Sequence, residues 1–239
     1  ALTQGIMHVG NTKKDYKYFV EEMNHMEKKY DYSNYEYFDS KNIKDEVASD
    51  RYHSGILSKD SYHLNPLKLT YGLAEACLEN NVKIFENSPV DKIVDKHSEV
   101  HIHTNNHIIK SKKIIVACNG YLDDLLGSSR NFFMPINNYI IATEPLGETL
   151  AKKLIKRNCG VIDSRFMIDY YRFSEDHRLL FGGPETITSK FVKDAKNFVA
   201  KRMYKVFPEI KKYKIEFSWG GTLAISVNRL PILGYLMNQ

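Results

Sequence analysis

Apolar positions along the chain recur with two periods, and the change of period marks the predicted elements. QGIMHVG (4–10) predicts a short strand, and NTKKDYKYFVEEMNHMEKKY (11–30) an amphipathic helix striped by Phe19, Val20, Met23 and Tyr30. Thr12 followed three residues later by Asp15 has the layout of its N-terminal cap. A short helix is expected over 41–47 with Ser40 as cap. Asn65 and Pro66 then open a clear helix, with Leu69, Leu73, Ala76 and Cys77 at helical spacing and Asn80 and Asn81 as its stop. VKIFE (82–86), SPVDKIV (88–94), EVHIHTN (99–105) and HIIKS (107–111) predict strands. KKIIVACNG (112–120) has the continuous apolar character of a strand buried on both faces.

The second half changes character. FFMPINNYIIATEPL (132–146), RFMIDYYRFSED (165–176) and RLLFGG (178–183) predict long, aromatic-rich antiparallel strands. SKFVKDAKNFVAKRMYKVFP (189–208) predicts a helix capped by Thr188 or Ser189 and stopped before Pro208, and KIEFSWGG (214–221) and LAISV (223–227) are strands again. One α/β layer and one mostly antiparallel layer give an α/β (α+β) fold class.

Composition changes this picture little. Of 239 residues, 43% are hydrophobic and 26% charged, so the chain has the makings of a folded core. The net charge of +5 is spread along the length rather than clustered, which reads as a solvated basic surface and not as a nucleic-acid footprint. Three widely spaced cysteines without a CxxC pair suit a reducing cytoplasm. No long uncharged run suggests a membrane span. His101, His103 and His107 lie close together, but no cysteine or carboxylate completes a ligand set, and no metal site is expected.

Five segments in order resemble the FAD-dependent amine and amino-acid oxidase superfamily, that of D-amino-acid, glycine and sarcosine oxidases. They are GILSKDSYHLNPLKLTYGLAEACLENNVKIFENSPVDKIV, NNHIIKSKKIIVACNGYLDDLL, YIIATEPL, YYRFSEDHRLLFGGPE and FSWGGTLAISVNRLPILG. The His-Leu-Asn-Pro, Ala-Cys-Asn-Gly-Tyr and Trp-Gly-Gly stretches are most similar to the gamma-glutamylputrescine oxidoreductase branch. The resemblance implies an incomplete FAD/NAD(P)-binding-like layer plus an antiparallel substrate-domain sheet. It divides the chain into a substrate-domain piece (1–52), a partial FAD-binding piece (53–128), a substrate domain (129–226) and a return to the FAD-binding domain (227–239). It also implies FAD as cofactor, an amine or amino-acid substrate, and hydride transfer from a substrate CH–NH bond to flavin N5.

Members of the superfamily hold the cofactor pyrophosphate with a G-x-G-x-x-G turn. None of the thirteen glycines forms a G-x-G pair, so the sequence reads as an internal piece of a longer oxidase. Two other readings stay open: a cofactor-free remnant or interaction module, and one half of a split oxidase completed by another chain or by a homodimer.

By resemblance, Val90 meets the adenine, Ala117, Cys118 and Asn119 end the strand that runs up to the flavin, and Pro231 belongs to the returning segment. Tyr170, Arg172 and Trp219 are the implied substrate-side residues. Alternation puts Tyr170 and Arg172 on one strand face and Tyr171 on the other. Arginine at such a place suits a carboxylate, which it grips through two parallel hydrogen bonds. Each has a plainer alternative: a strand valine, tight packing of small residues, amphipathic surface tyrosines and a core tryptophan. His63 is expected to fix the turn before the helix at Pro66, and no catalytic acid or base is assigned.

Overall fold

The computed structural model describes residues 2–122, 125–127, 131–188 and 190–235. They fall into two compact units, one formed by 1–69 and 138–221, the other by 70–137 and 222–239.

The first unit is built on an eight-stranded sheet. Its strands are β1 (Leu2–Gly10), β2 (Tyr35–Phe38), β3 (Ser54–Leu64), β7 (Phe133–Pro145), β8 (Gly160–Asp163), β9 (Tyr170–Phe173), β10 (Arg178–Thr186) and β11 (Ile215–Ser226). Their spatial order is β11-β7-β10-β9-β8-β1-β3-β2. β1 runs antiparallel to β3 and parallel to β8, while β8, β9 and β10 are successively antiparallel.

Register then decides what each face carries. Met7, Val161, Tyr171 and Phe181 stand side by side across four strands, all buried. Their neighbours one residue along, His8, Ile162, Tyr170 and Gly182, form a row on the opposite face. The first row packs in one hydrophobic core with Val199, Ala200, Met203 and Val206 of α5 (Ala195–Val206), and with Ala151 and Leu154 of α4 (Glu148–Leu154). The Tyr171 ring stacks on Phe181 at 5.2 Å and meets Phe207 edge-on at 5.3 Å, and its hydroxyl donates to that of Tyr52 at 2.9 Å. Burial pushes the Tyr171 phenol far above its ordinary range, so the pair stays neutral.

Two helix starts differ from expectation. α2 (Ile43–Glu46) is opened by Asp39, whose carboxylate accepts from the Lys41 and Asn42 amides at 2.9 Å, and not by Ser40. α5 is capped by Asp194, which accepts from the Asn197 amide at 3.0 Å. Thr188 instead donates to the Lys190 carbonyl at 2.7 Å, and Ser189 lies outside the described residues. At α1 (Asp15–Tyr30), Asp15 reaches back to the Thr12 amide and hydroxyl at 3.0 and 2.7 Å, the acidic half of a capping box.

The second unit contains most of α3 (Pro66–Glu79) and a three-stranded antiparallel meander of β4 (Val90–Asp95), β5 (Val100–Thr104) and β6 (His107–Ser111). α3 starts as read, with the Asn65 carboxamide accepting from the Leu67 and Lys68 amides at 3.0 and 3.2 Å. Its apolar stripe is not covered: α3 has no buried residue. Residues 82–86 form no strand, and neither does the apolar run 112–120, which ends in a single 3₁₀ turn over Asn119–Tyr121. A strand exists only by pairing, and among the described residues no strand pairs with either run. Phe85 and Ile115 are accordingly 70% and 92% exposed.

Candidate functional site

Tyr170 and Arg172 share the sheet face opposite the core, as alternation requires, while Tyr171 points into the core. Tyr170 lies opposite Gly182, and its ring occupies the space that a side chain at Gly182 would need. Glycine at 182 is therefore what lets the phenol lie across β10. The Tyr170 hydroxyl donates to Oδ1 of the buried Asn138 on β7, and the Asn138 amide donates to Glu185 Oε1 at 3.4 Å. Burial, reinforced by the charge of Glu185 and opposed by the Asn138 bond, pushes the Tyr170 phenol up to about 12. It is a hydrogen-bonding group at neutral pH, not an acid or base.

Arg172, opposite Leu180, is half-buried, and among the described residues its guanidinium donates to the Phe173 carbonyl at 3.2 Å. Burial lowers its pKa, and among the described residues no carboxylate forms an ion pair with it. A guanidinium still charged, partly desolvated and uncompensated is a ready partner for an anion. His63, on β3, donates from Nε2 to the Asn158 carbonyl at 2.9 Å. Burial lowers its pKa, the Asn158 bond opposes this, and the charge of Arg172 lowers it further. With Nε2 carrying the proton, Nδ1 of the neutral ring is an acceptor, buried and without a partner among the described residues. This bond goes to the turn at Asn158, ahead of β8, and not to the turn before Pro66 that the sequence suggested; the charge of Arg172 reaches the same ring.

Trp219 lies on β11, with β7 and β10 between that strand and β9. It is 44% exposed, so it is no closed core anchor, and strand order does not bring it beside Tyr170.

Periodicity gave no warning of the group that holds β9 from behind. Asp163 and Asp169 are buried, and the Asp169 amide donates to Asp163 Oδ1 at 2.9 Å. Arg165 Nε meets Asp163 at 2.6 Å and its Nη2 pairs with Asp169, while Arg202 Nε reaches Asp169 at 2.6 Å. The spacing of Asp163, Arg165 and Asp169 was the available signal, but Arg202 comes from α5, and only the fold adds it.

The cofactor-side candidates lie in the second unit. Val90 begins β4, opposite Thr104, on the outer strand of the meander, where backbone remains free for a ligand. Ala117 and Cys118 are exposed. Asn119 takes a positive φ of 51°, and its carboxamide accepts from the Ala224 amide at 2.8 Å. It therefore pins the turn to the strand end instead of offering a free group. Gly120 is fixed by the same contact, since a side chain there would come within 2.8 Å of the Thr222 carbonyl. Pro231 is exposed, outside regular structure.

The sequence pattern of the DAO family, described as FAD dependent oxidoreductase, matches residues 2–238. The chain belongs to this family. Among its relatives, the probable oxidoreductase OrdL of Haemophilus influenzae is 36% identical over 211 residues, covering 87% of this chain and 48% of that protein. The gamma-glutamylputrescine oxidoreductase of Escherichia coli K12 is 34% identical over 218 residues, covering 91% and 51%. The chain thus spans about half the length of these family members. The fold is similar to that of L-proline dehydrogenase from P. horikoshii, with a TM-score of 0.80 at 17% identity over 99% of this chain and 65% of that one.

FAD is the cofactor of the DAO family, and the described residues fit it in part. The free strand edge at Val90 and the small exposed residues at Ala117 and Cys118 suit the close approach of a flat ligand. A pyrophosphate cradle is another matter. The Leu67 and Lys68 amides at the start of α3 already donate to the Asn65 carboxamide, and the Leu69 amide to the Asn65 carbonyl, so this helix start does not present them to a pyrophosphate.

Proposed function

We propose that this chain provides the substrate-binding sheet and part of the flavin-binding region of an FAD-dependent oxidoreductase acting on the CH–NH or CH–NH2 bond of an amine or amino acid. The observation that carries this reading is Arg172: a half-buried guanidinium without an ion-pair partner among the described residues, on the face of the sheet that family resemblance turns toward the flavin. A bound FAD would supply the two-electron acceptor for oxidation of the substrate C–H bond. The residues of this chain bind and orient. Arg172 holds a substrate carboxylate, and Tyr170, locked to Asn138, offers a fixed polar edge. Trp219 contributes an exposed aromatic wall. Val90, Ala117, Cys118, Asn119 and Pro231 line or brace the cofactor side, Asn119 by fixing its turn.

A second reading concerns partners. The uncovered stripe of α3 and the exposed runs 82–86 and 112–118 favour a complementing polypeptide, or a second copy, that pairs with them. Among the described residues no helix is long and apolar enough to cross a membrane. The three free cysteines support a cytoplasmic setting.

The test is the visible absorption spectrum of the purified protein, incubated with FAD and passed through gel filtration. A flavin band that co-elutes, and is bleached anaerobically by an amine or amino acid, is the expected result. A folded protein that stays colourless overturns the oxidase reading for this polypeptide by itself and leaves the need for a complementing chain.

A further inference from the structure

The turn between β8 and β9 carries more positive charge than the carboxylates beneath it use. Arg165 gives Nε to Asp163 at 2.6 Å and Nη2 to Asp169, while Arg202 gives Nε to Asp169 at 2.6 Å and Nη2 to the Met167 carbonyl at 2.6 Å. The turn backbone is held by the same group, since Asp163 Oδ1 accepts from the Arg165 and Asp169 amides at 3.2 and 2.9 Å. Both guanidinium planes are therefore fixed from below. Among the described residues, nothing engages Nη1 of Arg165, Nη1 of Arg202 or the Lys205 ammonium. Lys205 follows Arg202 by three positions on α5, so the two share a helix face. Arg165, Arg202 and Lys205 line one open pocket together with the exposed Phe166 and Met167, and no carboxylate is among the lining residues. Burial and the charge of Arg165 lower the Arg202 pKa, Arg51 adds to them, and Asp163 and Glu185 oppose. Like charges so arranged favour an anion between them.

A carboxylate brings two oxygens and one charge, whereas a phosphate group brings at least three acceptor oxygens and a charge of about −1.5 to −2 at neutral pH. Three separate donors on three cationic side chains match the second better. We propose that this pocket binds a phosphate-class oxyanion through Arg165 Nη1, Arg202 Nη1 and Lys205 Nζ, with Asp163 and Asp169 serving to fix the two guanidinium forks. None of the residues proposed for substrate or cofactor lines the pocket, so the assignment is independent of the oxidase reading.

Calorimetric titration of the whole protein with inorganic phosphate, at an ionic strength held constant with chloride, reads the site. Saturable binding at one site per chain is expected, with acetate binding about tenfold more weakly, a difference of about 1.4 kcal/mol. Lys205→Gln should weaken phosphate binding about tenfold, Lys205→Glu should abolish it, and Lys205→Arg should retain it. Lys205 is exposed and outside the buried carboxylate cluster, so these variants leave the fold intact. Lys153→Gln, at an exposed lysine of α4 that does not line the pocket, should change nothing. Phenyl phosphate then separates two sources of the same chemistry. Binding no tighter than that of inorganic phosphate assigns the site to the free ion; tighter binding, with the ring against Phe166 and Met167, assigns it to a phosphorylated organic ligand. Phosphate binding that survives Lys205→Glu, or that falls equally in Lys153→Gln, is diffuse counterion attraction and overturns the proposal. Absence of saturable phosphate binding overturns it as well, as does acetate binding as tightly as phosphate.

Discussion

The two units treat similar apolar sequence in opposite ways. In the first, YYRF on β9 and RLLF on β10 place Tyr171, Phe173, Leu179 and Phe181 in a core that covers them completely. In the second, the leucines of α3 and the isoleucines and phenylalanine of 82–86 and 112–118 meet mostly solvent. Local hydrophobicity is comparable, and partners make the difference. The sheet of the first unit finds α4 and α5 within the same unit, whereas the runs of the second have no strand beside them among the described residues. Apolar character thus marks what is to be buried, and the layer that does the burying is set by other stretches of sequence.

The largest expected contrast is in hydrogen exchange. Amides of β1, β8 and β9 should be protected to the level of global unfolding, and those of 82–86 and 112–118 should exchange within a small factor of unfolded peptide. Mass spectrometry of peptic fragments reads this directly, and protection of 112–118 in the isolated chain would erase the contrast. Next comes truncation of a side chain. Phe181→Ala should cost about 3–5 kcal/mol in urea denaturation, whereas Leu73→Ala on α3 should cost less than about 0.5 kcal/mol. Equal costs would mean that α3 is covered in solution, as a dimer or complementing chain would cover it.

Asp169→Asn tests the support behind β9. It leaves Arg165 and Arg202 without the carboxylate they share and should destabilise the first unit by about 3 kcal/mol. An effect under about 1 kcal/mol would show that the strand is held by packing alone. The smallest effect is one of pH. Because the folded pKa of His63 is lowered below its unfolded value near 6.5, the unfolded chain binds more protons in the window just beneath that value. Stability should therefore fall as pH drops below about 6.5, and His63→Gln should flatten that slope. In an NMR titration, Arg172→Gln should move the His63 pKa upward, and an unchanged pKa would separate the two residues.

Much of the fold was legible in residue pattern. Asn65 and Pro66 opened α3 as expected, and alternation assigned Tyr170 and Arg172 to one face and Tyr171 to the other. The residue pattern does not predict β2, β8 or α4. β2 and β8 are four residues each, too short for periodicity to register, and take their strand character from β3, β1 and β9 beside them. The two glycines at 220 and 221 do not interrupt β11, which runs through them as one strand. Of the candidate site, Tyr170 and Arg172 came from strand parity and family resemblance. Asn138, Glu185 and His63 joined them only through pairing between distant stretches.

By itself, then, the sequence determined the Asn65–Pro66 start of α3, the two faces of β9, the family, and the absence of a G-x-G pair. These depend on neighbours within a few residues or on ordered motifs along the chain. Tertiary structure alone decided that 82–86 and 112–120 are not strands, that Asp169 is shared by two arginines, and that Asn138 bonds both Tyr170 and Glu185. Each of these depends on which distant segment supplies the second half of a hydrogen bond, an ion pair or a buried contact. That identity is not encoded in the period of any one stretch.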